Sequence, residues 1–157
     1  MSGWQVIAVR KWRFVALLTA ALTVALHTTA TGSADIGMIE AHIVKLRNNH
    51  GQVICTLFTP SDKFPEQSHK GMTVAVPIQD GQALCRFNNV RYGNYAIVAF
   101  HDENQDGNFN QNGLGMPKEG FGFSDNPGTL RKPAFDDAKF IVGQPVVYIT
   151  IKLTYWF

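Results

Sequence analysis

The sequence predicts an all-β protein: a seven-stranded antiparallel β-sandwich with Greek-key links and one long ordered loop. Three observations carry that prediction. Short stretches alternate apolar and polar residues with period two, the pattern of strands buried on one face. Turn-forming clusters fall between them, at Asn48-Asn49-His50-Gly51, Asp80-Gly81 and Gly143-Gln144. Beyond residue 34 no segment carries the 3.6-residue period of an amphipathic helix.

The first 34 residues stand apart. Three of the 14 basic residues, Arg10, Lys11 and Arg13, and none of the 12 acidic residues lie there. An apolar run follows, Phe14 to Leu26, then small residues in Thr28-Thr29-Ala30 and Gly32-Ser33-Ala34. Basic start, short apolar core and small residues before a cut describe a secretory signal peptide, with cleavage after Ala30 or Ala34. The apolar run is short of the roughly 20 residues that cross a bilayer. A single domain over 35–157 is therefore expected in the periplasm or outside the cell, with no integral membrane span. Its near-neutral charge excludes a nucleic-acid protein, which needs a basic surface. At 157 residues, 45% hydrophobic and 17% charged, the chain is globular rather than disordered or collagen-like.

The strands follow in order. Ile39–Arg47, the Asn48–Gly51 cluster and Gln52–Thr59 read as a hairpin. Met72, Val74, Val76 and Ile78 alternate with Thr73, Ala75, Pro77 and Gln79; Pro77 lacks a backbone donor and marks an edge strand. Asp80-Gly81 supplies the chemistry of a tight hairpin turn into Gln82–Phe87. Asn94–His101 is rich in β-formers. Ala138–Val142 and Pro145–Trp156 flank Gly143-Gln144 as a third hairpin. Alternation should confine the core to one face of each sheet. The last strand ends in aromatics, as in an outer-membrane barrel, but the other strands are too short for one.

Cys55 shares a face with Val53 and Leu57, and Cys85 with Ala83 and Phe87. In an oxidising compartment the pair is expected to form a disulfide; the alternative is two buried thiols. Two connections are long. Pro60–Gly71 is polar, with a helical turn expected near Asp62. Asp102–Asp137 far exceeds the usual loop, and its Phe109, Phe121, Phe123 and Phe135 offer apolar surface that would order it.

That loop carries the chemistry. Residues 102–107 read D-x-N-x-D-G, the opening of a calcium loop: oxygens at alternate positions, then a glycine for the sharp turn. Asp102, Asn104 and Asp106 fill the side-chain positions, Asn108 the carbonyl and Asn110 the ninth. Gly113 stands where a bidentate glutamate closes the shell, so Glu119 would have to substitute. The same residues also suit a metal-free staple, in which Asp and Asn side chains bond nearby backbone amides. A calcium ion held this way would be weakly bound.

The expected function is a non-enzymatic module binding an extracytoplasmic ligand or protein, with no catalytic residue assigned. The alternative is a metal-dependent or carboxylate-based hydrolase built on His101, Asp102, Glu103 and Glu119. No zinc motif occurs, His42, His50 and His69 are scattered, and Ser124 has no signalled base. Strand parity with Tyr95, Ile97 and Ala99 makes His101 a cap on the sandwich edge.

Four strings then fall together: Gly93-x-Tyr95-Ala96, His101-Asp102-Glu103-Asn104-x-Asp106-Gly107, Gly115-Met116-Pro117-Lys118-Glu119-Gly120-Phe121-Gly122-Phe123-Ser124, and Phe135-x-Asp137-Ala138-x-Phe140. Together they resemble the bacterial exported family known as domain of unknown function 2141, from about Ile39 to Phe157. A more distant similarity to prealbumin-like modules of bacterial surface proteins implies a prealbumin-like sandwich and a binding role, by analogy.

Overall fold

The computed structural model describes residues 35–66, 71–128 and 131–156. The leader expected over residues 1–34 lies outside them, as do His69 and Phe157. Eight strands and one short helix follow in order: β1 (Ile36–Val44), β2 (Gln52–Phe58), β3 (Met72–Pro77), β4 (Ala83–Arg91), β5 (Gly93–Asp102), β6 (Phe121–Phe123), α1 (Phe135–Ala138), β7 (Phe140–Val142) and β8 (Val146–Lys152). They form two sheets rather than a closed barrel. The smaller runs β4-β1-β8; the larger runs β3-β2-β5-β6, with β7 also on β5. Among the described residues no helix is long and apolar enough to cross a membrane.

The strands alternate as expected, but their partners differ. β1 and β2 do not form a hairpin: β1 pairs with β4 and β8, and β2 with β3 and β5. The Asp80-Gly81 turn forms, with Gln79 and Gln82 exchanging backbone hydrogen bonds of 2.8 and 3.0 Å. Yet β3 and β4 then part into different sheets, and the link through Gly143-Gln144 likewise joins β7, beside β5, to β8, beside β1. A turn fixes chain reversal, whereas the partner is set by burial. Crossing between sheets stacks Ile39, Ala41 and Ile43 with Val53, Cys55 and Leu57 in one core, which side-by-side pairing would not achieve.

Two further expectations are corrected. The sheets are not wholly antiparallel, because β8 runs parallel to β1 after crossing over from the larger sheet. Among the described residues the strand count is eight, because the long connection after Asp102 contributes β6, and α1 interrupts the same stretch. Near Asp62 the chain makes turns rather than a helix, with the Asp62 carboxylate accepting the Thr59 amide at 2.6 Å. β3 is an edge strand, as Pro77 requires. A bulge sets Asn88-Asn89 of β4 against β1 between Gly37 and Ile39, with Asn89 in the left-handed region (φ 57°).

The core between the sheets is crossed by a Cys55–Cys85 disulfide, with Cα atoms 6.5 Å apart. It joins β2 of the larger sheet to β4 of the smaller. The larger sheet buries its outer face as well. Ile54, Ala96, Phe100, Phe121 and Phe123 form a second cluster there, covered by Ala138, Phe64, Phe109 and Phe135 from the connections. One-sided burial therefore fails for this sheet, because the long connections carry their aromatics back onto it.

Candidate functional site

Asp102 ends β5, opposite Gln52 of β2, and is fully buried. The Asn48–Gly51 turn passes so close that a Cβ on Gly51 (φ 73°) would collide with the Asp102 carbonyl oxygen, so only glycine fits. The Asp102 carboxylate accepts three N–H groups: Gln52 Nε2 at 2.8 Å, the Asp106 amide at 3.1 Å and the Gly107 amide at 3.0 Å. The turn is thus clamped to the end of a rigid strand.

Beyond it the Asn and Asp side chains bond one another. Asp106 Oδ1 accepts the Asn108 amide at 2.8 Å, and Asp106 Oδ2 accepts Nδ2 of Asn104 and Asn110 at 2.9 and 3.0 Å. These donors, the Asn110 side chain foremost, hold the Asp106 carboxyl below its ordinary value. Asn104 Oδ1 accepts the Asp106 amide at 3.2 Å. The Asn110 amide donates to Glu119 Oε2 at 2.9 Å. Glu119 is buried, and that burial raises its pKa, with the Asp102 and Asp106 charges adding to the rise. All six residues expected around an ion are therefore in one neighbourhood, but their carboxylates face N–H donors. Among the described residues no group of three or more His, Cys, Asp or Glu is arranged to hold a metal ion.

His101 lies fully buried beneath this turn. Its Nε2 is 2.7 Å from the His50 carbonyl oxygen, which can only accept, so Nε2 carries a proton. In the neutral ring Nδ1 then accepts the Tyr155 hydroxyl at 2.8 Å, and that hydroxyl accepts the Arg47 amide at 3.2 Å. The Arg47 guanidinium stands 4.8 Å over the Tyr155 ring and donates to Glu103 at 2.6 Å. Burial pushes the Glu103 carboxyl up, but Arg47, joined by His101 and Asn48, outweighs it and leaves Glu103 below its ordinary value. Burial also raises the Tyr155 hydroxyl. Ser124 is buried too, accepting the Ile97 amide at 2.8 Å and donating to the Ala138 carbonyl. Among the described residues every buried side-chain nitrogen or oxygen has a partner.

The turn also places an aromatic wall. Phe109 packs edge-on against Phe100 and Phe121, with ring centroids 5.6 and 5.7 Å apart. Between this wall and the segments after Phe64 and before α1 lies a groove of about 580 Å³ on the outer face of the larger sheet. Small-ligand pockets typically measure roughly 300–1,000 Å³. Phe58, Val98, Phe100 and Phe123 form its floor, and Glu66, Arg131, Lys132 and Trp156 stand among its other lining residues. Sequence reasoning saw the loop phenylalanines as packing surface but missed the groove. Its floor comes from β2, β5 and β6 and its rim from separate connections, so no single segment displays it.

A sequence profile for the family described as an uncharacterized protein conserved in bacteria (DUF2141) matches residues 41–150. Comparison with curated proteins and with solved structures found no match.

Proposed function

We propose, for a chain that belongs to the DUF2141 family of uncharacterized bacterial proteins, a role as an exported, non-enzymatic binding module. Its ligand would lie in the aromatic groove, and the D-x-N-x-D-G turn would be the staple that holds the Phe109 wall. The observation that carries this reading is the groove itself, an open apolar surface beside a polar cluster whose carboxylates already accept N–H groups. The hydrolase alternative draws less support. Both ring nitrogens of His101 are engaged, and none of His101, Asp102, Glu103 and Glu119 lines the groove. The prealbumin-like, Greek-key assignment of the sandwich is part of this proposal and rests on the two-sheet architecture.

A calcium ion in the turn is the second reading, favoured by one observation: the buried Glu119 carboxylate feels the charges of Asp102 and Asp106. For an ion to bind, the Asn104 and Asn110 amides would have to turn their oxygens inward. Two measurements separate these readings. Calorimetric titration with a neutral apolar probe, 1-octanol, should show binding that Val98→Trp, which fills the floor, removes; an unaltered isotherm would overturn the groove. Melting with and without about 10 mM calcium tests the turn, since a ligand of the folded state raises Tm by mass action. The staple reading expects no rise, and an Asp102→Ala/Asp106→Ala variant that unfolds early with or without calcium. A rise that this variant loses would establish the ion instead.

A further inference from the structure

We propose that the groove binds an unbranched aliphatic monocarboxylate, its chain on the phenylalanine floor and its carboxylate at Arg131 and Lys132. This deepens the binding-module reading and rests on it.

The floor selects an apolar chain. Phe100 and Phe109, Phe109 and Phe121, and Phe121 and Phe123 meet at 62°, 70° and 74°. Rings locked edge-to-face leave a corrugated surface, suited to a flexible chain rather than to a flat ring that would stack. The floor also offers little to a sugar. Its hydroxyl, on Thr56, is tied to the Thr73 hydroxyl at 3.1 Å, and a sugar brings many polar groups that would be buried without partners.

The rim selects the head group. Among the described residues that line it, two cations, Arg131 and Lys132, stand there against one acid, Glu66. Both cations already hold carboxylates: Lys132 Nζ lies 3.0 Å from Glu66 Oε1, and Arg131 3.1 Å from Asp137 Oδ2. The Lys132–Glu66 pair is well exposed on both sides (58% and 64%), so it is held weakly against water. A carboxylate anchored by a buried chain would replace Glu66 at little cost, because its chain has already fixed it in place.

Calorimetric titration of the purified protein with octanoate and with 1-octanol, equal in chain length, tests this. Octanoate should bind about tenfold tighter, the worth of a charge-assisted contact. Arg131→Ala/Lys132→Ala should bring octanoate to the affinity of octanol and leave octanol unchanged. Glu66→Gln, which frees Lys132, should tighten octanoate several-fold and not octanol, an effect no structural role would produce. All three positions are exposed, so these variants should fold like the wild type. Octanoate binding no tighter than octanol, or unmoved in the double variant, would overturn the carboxylate assignment while groove binding stands. If neither ligand binds, the binding-module reading fails with it.

Discussion

Replacing Asp102 by alanine tests the staple directly, because its carboxylate accepts three N–H groups at the end of β5. Gln52 is half-buried and can turn its amide to water. The amides of Asp106 and Gly107 cannot do so without opening the turn. Each hydrogen bond to a charged acceptor is worth about 1.5–3 kcal/mol, and the two are coupled, so a loss of roughly 3–5 kcal/mol is expected. In a domain of this size that lowers Tm by on the order of 10 °C. Asp102→Asn keeps the shape and one acceptor oxygen but loses the charge, and should cost about half as much. Urea unfolding measures both, and hydrogen exchange at the Asp106 and Gly107 amides localises the effect. Phe109 should loosen with the turn, so 1-octanol binding should weaken in the alanine variant. A stability change within about 1 kcal/mol, or unchanged protection of those amides, would refute the clamp.

Removing the disulfide with Cys55→Ala/Cys85→Ala should cost about 3–4 kcal/mol in urea, the chain-entropy worth of closing a loop of 30 residues. Tyr155→Phe should destabilise by roughly 1–3 kcal/mol, because His101 Nδ1 and the Arg47 amide lose a shared partner; a neutral result would mean water replaces the hydroxyl. Glu119 gives a pH signature of unusual sign. Its folded pKa lies above the unfolded one, so its contribution is fully present below the unfolded pKa and is lost as pH rises through the folded pKa. The lowered Glu103 and Asp106 act in the opposite sense, contributing above their unfolded pKa and losing that contribution as pH falls. Glu119→Gln keeps the acceptor for Asn110 and removes the charge. Relative to wild type it should gain stability as pH rises above the unfolded carboxylate pKa of about 4.3, the gain levelling off above the folded pKa, read from paired urea curves; a large loss at neutral pH would show that the ionised form is needed.

Much of the local structure was legible in the sequence. Strand parity identified Val53, Cys55 and Leu57, and Ala83, Cys85 and Phe87, as inward-facing, and all six are buried. Alternation is a property of single strands, so it survives whichever strand lies alongside. The edge position of Pro77 and the tight turn at Asp80-Gly81 were legible for the same reason. So was the clustering of Asp102, Asn104 and Asp106, whose spacing of two brings side chains together within one turn.

What the tertiary structure alone decided is non-local. Three turn clusters predicted hairpins, and in each case the flanking strands lie in different sheets, because apolar faces stack across the core instead of extending one sheet. The N–H donors that occupy the Asp102 carboxylate include Gln52, fifty residues earlier in the chain. His101 owes its ring orientation to the His50 carbonyl and to Tyr155. The groove needs β2, β5, β6 and two distant connections at once. Periodicity and spacing report what a segment does to its own neighbours. Pairing, hydrogen-bond saturation and concavity depend on which segments burial brings together, and that choice belongs to the whole chain.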